Sequence, residues 1–390
     1  MAVQALPQSL FNTNWIIDKK TDLTWFIGGA LGGYLLMFMY SGLGWDMVTI
    51  WFFWVALIDT PHFFGTYSRT YLDKKEFNQR KPLLLGSLVW FIVGPAIIFL
   101  CYLLYSAGST SYELPWILLT SFFGFWAYWH VVRQHYGFLA LYKKKNKEQS
   151  KLDYYIDSSL LYSGLMLPFF VFVMRYPETS EITLPIQNTL ESLFGISGLT
   201  FITWSTISVV SVFALIYIGR QVYLAKKGTP INIPKALFLL AVIPLHLFIC
   251  FSDAVVEAGI FAFGAFVTIF HDLQYHAIVW FHHKNRYKKA ANKSEFGISA
   301  WLTESLPRYA LVAITVGVVF RVIGCTFEAH PGCIPIVLSS DIMLFADFGT
   351  DKVLLAGLMG FAFHHYFLDQ FIWKTSKDKE LAKDLKLNDL

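Results

Sequence analysis

Apolar runs of about twenty residues recur along the whole of this 390-residue chain, and a helix of that length matches the hydrocarbon thickness of a bilayer. No other feature constrains the fold as tightly. Lipid offers no hydrogen-bond partners, so a buried backbone must satisfy itself, and long apolar runs do so as helices. The pattern predicts ten spans, at roughly 23–42, 47–67, 83–105, 115–142, 154–174, 199–219, 234–252, 254–283, 308–324 and 353–373. The expected fold is an all-α, polytopic membrane helical bundle, a single transmembrane domain over 1–390 with short loops and no soluble domain. The first 22 residues are polar and mixed, without the basic start and short apolar core of a cleavable signal peptide.

Basic residues orient the spans. Of the 31 lysines and arginines, 27 fall at the chain start, in the loops after the second, fourth, sixth, eighth and tenth spans, or, as Lys235 and Arg308 do, at the span ends bordering those loops. The opposite loops hold only Arg175 and Lys352, and Arg133 and Arg321 lie within spans. Both termini are therefore expected in the cytosol, with the chain in a bacterial inner membrane. The net charge of +4 belongs to these loops. No basic region is long enough to form a separate nucleic-acid-binding domain. Cys101 and Cys250 sit in apolar spans as packing residues, while Cys325 and Cys333 share one outer loop and could pair there. No flavin, nicotinamide or phosphate-loop fingerprint is present, and the glycines near Gly28 and Gly32 read as helix-packing residues.

Against this apolar background the histidines stand out. The stretch FHDLQYHAIVWFHHKNR, residues 270–286, carries four of the eleven. Sorted by the expected topology, His62, His130, His135, His271, His276, His282, His283, His364 and His365 all fall in the inner halves of four even-numbered spans. His246 lies near mid-membrane beside Pro244, and His330 in an outer loop; both read as structural or solvated. Ionisable groups within a membrane are costly and usually face a bundle interior or a wet cavity, so nine at one depth point to one polar site. At about 100° per residue, Asp272, His276 and His283 form one helical stripe within ~40°, and His271, Tyr275 and His282 a second. Asp59 with His62, and His365 with Asp369, place a carboxylate one turn from an imidazole, the usual device for fixing a ligand's tautomer. Pro61 is expected to distort its helix and expose backbone carbonyls beside His62. Arg133, between His130 and His135, would need a partner if buried: Asp59, Asp157 or a substrate headgroup. Imidazole-rich sites suit iron, zinc, copper or nickel.

The histidine pattern resembles the membrane histidine-box di-iron enzymes: fatty acyl desaturases, sterol and fatty acid hydroxylases, and alkane monooxygenases. His130-x4-His135 and His271-x4-His276 look like HxxxxH boxes, and His282-His283 and His364-His365 like the paired boxes, with Val279 and Phe361 where the paired boxes carry a further histidine. A second resemblance is to the bacterial membrane carotene cleavage enzymes, which also hold iron with spaced intramembrane histidines.

The first resemblance implies a membrane-embedded, metal-dependent oxidoreductase: an oxygenase, hydroxylase or desaturase acting on a lipid or other hydrophobic chain. Two iron ions would be held by the nine inner-half histidines and Asp369, with Asp59, Asp272, Tyr275 and Arg133 in catalytic or orienting roles. Electrons would come from a separate reductase, since no redox domain is encoded. The alternatives are a haem- or copper-binding electron-transfer or sensor protein, a zinc-dependent lipid-modifying hydrolase, and a metal or proton transporter. Transporter sites lie near the midplane, whereas these histidines gather on one side.

Overall fold

The computed structural model describes residues 10–288, 290, 292–326 and 342–387. Its helices, in chain order, are α1 (Lys19–Ile27), α2 (Ala30–Ser41), α3 (Met47–Arg69), α4 (Lys74–Gln79), α5 (Lys81–Ser106), α6 (Leu114–Lys145), α7 (Lys151–Arg175), α8 (Ser180–Phe194), α9 (Gly198–Lys226), α10 (Ile233–Phe251), α11 (Asp253–Lys288), α12 (Ile298–Leu302), α13 (Leu306–Thr326), α14 (Thr350–Ile372) and α15 (Lys379–Asp384). The described strands are two short pairs, one parallel (Phe11–Asn12 with Ile231–Asn232) and one antiparallel (Met343–Phe345 with Phe348–Gly349). The chain is all-α, as the apolar periodicity predicts.

Among the described residues, seven helices are long and apolar enough to cross a membrane: α3, α5, α7, α9, α10, α11 and α13. An eighth is obtained if α1 and α2, bent by 42°, are counted as one span. Ten is therefore not reached. The two expected spans that fall short are α6 and α14, and the cause is in their sequences. α6 carries His130, Arg133, Gln134 and His135, and α14 carries His364, His365, Asp369 and Gln370. α11 also departs from expectation, because Gly259, at φ +86°, breaks it near its start. Only glycine enters that region of backbone space without strain.

The chain divides into two compact units, at 1–42 with 132–271 and 390, and at 43–131 with 272–389. In the first unit α7 packs against α9 and α10, and α8 against α9. Ser150 caps α7 by accepting from the Asp153 amide, and Asn232 caps α10 by accepting from Lys235. Cys250 is buried and free here, as Cys101 is in the second unit, in keeping with packing roles. His330 and Cys333, the expected partner of Cys325, lie outside the described residues, whereas Cys325 itself is buried in α13.

In the second unit α14 packs along α5 and α13 along α3. Both contacts depend on glycine. A Cβ on Gly94 would lie 2.0 Å from the Ala356 carbonyl oxygen, and one on Gly317 would lie 2.2 Å from that of Ala56. The core beneath α14 is aromatic: Phe63, Trp126, Phe363 and Tyr366 cluster with Leu119, Met359 and Ala362.

α3 itself is irregular. Val55–Asp59 is wound as a π-helical segment directly before Pro61, which lies at the first turn of the regular helix that follows. Proline has no N–H to return to the preceding turn, and single π-helical turns of this kind are concentrated at functional sites.

Candidate metal centre

The distortion before Pro61 leaves backbone carbonyls for side chains to use. His62 Nδ1 lies 2.6 Å from the Asp59 carbonyl oxygen, and His276 Nε2 lies 3.0 Å from that of Ile58. A carbonyl can only accept, so each of these ring nitrogens carries its proton. In a neutral His62 ring this leaves Nε2 without a proton. It points at His365 Nε2, 2.9 Å away.

The proton on His365 is fixed by a second chain of contacts. Thr66 Oγ1 donates its single hydrogen to Asp369 Oδ1 at 2.9 Å, and Tyr275 Oη donates to the same oxygen at 3.0 Å. With its hydrogen on Asp369, Thr66 accepts from a His365 ring that carries its proton on Nδ1, 2.7 Å away, and Tyr275 Oη stands 2.5 Å from the same hydroxyl. In that neutral tautomer His365 Nε2 carries no proton of its own. Two imidazole nitrogens thus face each other at 2.9 Å, a spacing that either a shared proton or a metal ion between them satisfies. Two nitrogens each about 2.0–2.1 Å from one ion, at right angles, would stand about 2.9 Å apart.

Further possible ligand atoms gather around His62 in two groups. Ligand atoms of His62, His130 and His365 lie within 4.8 Å of one another, as do those of Asp59, His62 and Asp272. His62, Asp272 and His365 are almost wholly buried, and His130 is 7 % exposed. Asp272 Oδ1 lies 3.2 Å from His62 Nδ1, and its other oxygen accepts from Trp54 Nε1 at 3.0 Å. The buried histidine-rich group could hold a metal ion, and the carboxylates of Asp59 and Asp272 lie at the other nitrogen of His62. Apolar rings wall it. Phe63 meets His62 and His365 with ring centres 4.6 and 4.8 Å away, and Tyr366 stacks on His130 at 4.6 Å.

Within the second unit, His364, His282 and His283 have other surroundings. His364 turns away from His365, because successive residues on a helix point about 100° apart. Tyr71 and Ser87 both give their hydroxyl hydrogens to the Leu84 carbonyl oxygen, so His364 Nε2 donates to them, at 2.9 and 3.0 Å. Its Nδ1 accepts from Tyr67 at 3.2 Å, which leaves no lone pair for a metal. The expected His364–His365 paired box is therefore split between two environments.

His282 and His283 lie further along α11. His282 Nε2 is 3.5 Å from Asp384 Oδ2, and His283 packs on the rings of Tyr287 and Tyr309. In the first unit, His135 meets His246 and Phe270 edge-on or tilted, and His271 receives the Gln134 amide on its carbonyl oxygen. Arg133 is exposed rather than buried; it bonds the Tyr162 hydroxyl and lies over the Tyr136 ring. Asp157 is taken by Lys143 and Lys235 instead.

Three members of the centre carried no signal that composition alone could raise. Thr66 lies one turn beyond His62 on the same face of α3, so the spacing could have found it. Trp54 and Tyr366 bring one side chain each from helices already rich in aromatics, and only the packing reveals them. The expected His365–Asp369 pair is present, at 3.8 Å, with Thr66 as the link between the two.

No protein-family model matches the chain, and no curated protein or solved structure matches it either. What the site does must be argued from its own chemistry.

Proposed function

We propose that this protein is a membrane-embedded, iron-dependent oxidoreductase that oxidises a lipid or other hydrophobic chain using dioxygen. The observation that carries the reading is the approach of His62 Nε2 and His365 Nε2 to 2.9 Å beside His130 inside an aromatic wall, with Asp59 and Asp272 gathered at the other nitrogen of His62. Neutral nitrogens with one or two carboxylates suit iron. An ion held there would supply the redox chemistry that the amino acids lack.

The chain's own residues have separate tasks on this reading. His62, His130 and His365 hold the ion, and Asp272 balances its charge. Thr66, Asp369 and Tyr275 fix the His365 ring in one tautomer. Phe63, Trp126 and Phe363 exclude water and present an apolar surface to a chain substrate. The likeness to the histidine-box di-iron enzymes points the same way, and electrons would come from a separate cytosolic reductase.

Membranes containing the protein should alter an acyl or isoprenoid lipid only when oxygen and a reductant are both supplied. Turnover that continues unchanged under strict anaerobiosis, or activity restored by zinc and not by iron, would replace this reading with that of a lipid-modifying hydrolase.

The segregation of basic residues supports a bacterial inner-membrane location with both termini in the cytosol. Lys144, in the last turn of α6, and Glu178, just beyond α7, are both exposed and are assigned to opposite sides. Single cysteines introduced at these positions should label from opposite faces of the membrane. Labelling of both from the same face would contradict the orientation.

A further inference from the structure

A cavity of about 280 Å³ opens beside the cytosolic-side end of α11, lined by Trp280, His283, Lys284, Tyr287, Lys293, Ala300, Thr303 and Glu304. Its buried wall is His283, which is 0 % exposed and has no hydrogen-bond partner on either ring nitrogen. A buried polar group without a partner is costly, so native structures rarely leave one. Behind this wall stands a second such group. Arg69 is 2 % exposed, gives one bond to the Ile372 carbonyl oxygen, and leaves Nε and Nη1 without partners. Its guanidinium lies 3.9 Å from the centre of the Trp373 ring, and that ring meets His282, the neighbour of His283, at 5.8 Å. Arg286 is not available in the same way, because Asp73 and Glu76 already occupy it.

The charges at the mouth are positive on balance. Lys284 and Lys293 line the opening, and Glu304 offsets only part of their charge, since it is itself shared between Lys293 at 3.5 Å and Arg308 at 3.0 Å. Tyr287 and Thr303 have spent their hydrogens on Asp73 and on the Ser299 carbonyl oxygen, so His283 and the lysines are the donors facing the cavity. Beside it, Ile298, Trp301 and Leu306 are more than half exposed, as side chains at a membrane interface would be.

We propose that this cavity binds a phosphate group, with His283 donating an N–H from its floor and Lys284 and Lys293 closing over it. At the depth where α11 meets the basic loop, the abundant source is the headgroup of an anionic phospholipid. The site is separate from the histidine–carboxylate group and needs neither metal nor oxygen.

Titration of the detergent-solubilised full-length protein tests it, with dihexanoylphosphatidylglycerol and inorganic phosphate as separate probes. The short-chain lipid should bind saturably. The exposed double variant Lys284→Gln/Lys293→Gln should bind it at least ~10-fold more weakly, and His283→Gln should also weaken it. Saturable binding of inorganic phosphate alone, with the same dependence on these residues, would keep the site and identify free phosphate as its source. Absence of saturable binding of both probes, or equal binding by wild type and the double variant, would overturn the proposal.

Discussion

His365→Ala should retain less than about a tenth of the metal bound by the wild type, whereas His364→Ala, one residue away, should retain nearly all of it. The contrast follows from where each ring's protons are committed. His365 Nδ1 is bonded to Thr66, leaving Nε2 to face His62 Nε2 at 2.9 Å. His364 has both nitrogens engaged by Tyr67, Tyr71 and Ser87. Removing His365 deletes a direct bond to the ion. Removing His364 leaves three hydroxyls short of a partner, which costs about 1–3 kcal/mol of stability but no ligand. Thr66→Val should fall between them, with metal affinity reduced about 10–100-fold, because it frees the His365 ring to turn without removing it. Metal content of each variant, measured on protein that still elutes as a folded species, decides the matter. Equal losses in His364→Ala and His365→Ala would show that the two environments are not distinct.

The second large effect concerns stability, in the first unit. Asp157 is 1 % exposed and accepts from Lys143 and, at 3.0 Å, from Lys235, itself 2 % exposed. Glu148 completes the set, 2.8 Å from Lys235 and 3.7 Å from Lys143, and also accepts from Asn232. Two positive and two negative charges thus balance where the end of α6 meets α7 and the start of α10. Asp157→Ala would leave Lys143 and Lys235 with one carboxylate between them. Breaking a buried pair on one side costs about 3–5 kcal/mol, because the remaining charge stays buried without compensation. Thermal unfolding of the solubilised protein should show that loss. Asp157→Leu combined with Lys235→Met should recover much of it, since the excess charge leaves with its partner. A single variant as stable as the wild type would mean that water reaches the cluster freely.

Much of the architecture could be read from the sequence because a bilayer permits so few solutions. Apolar run length alone locates α3, α5, α7, α9, α10, α11 and α13. It overcounts at α6 and α14, where the polar residues that make the chain interesting also dilute its hydropathy. Pro61 predicts both a distorted helix and freed carbonyls, and the π-helical turn at Val55–Asp59 supplies them to His62 and His276.

The site was legible in outline and not in detail. Counting histidines at one depth brings out His62, His130 and His365, and spacing pairs His365 with Asp369. Counting cannot separate His364 from His365, because that depends on which rings carry hydroxyl neighbours across the packed helices. Nor can it foresee Arg133, whose intramembrane position suggested a buried charge; the fold leaves it exposed, against Tyr162 and Tyr136. Contacts made hundreds of residues apart in sequence, such as Thr66 with His365, exist only once the helices have packed.

Elemental analysis of the full-length protein, purified without chelators or reconstituted anaerobically with ferrous iron, tests the central claim most directly. The arrangement of His62, His130, His365, Asp59 and Asp272 predicts at least an equimolar amount of iron in the wild type, lost in His62→Ala. A wild type that holds no transition metal after reconstitution, or a His62→Ala variant that holds as much as the wild type, would contradict it.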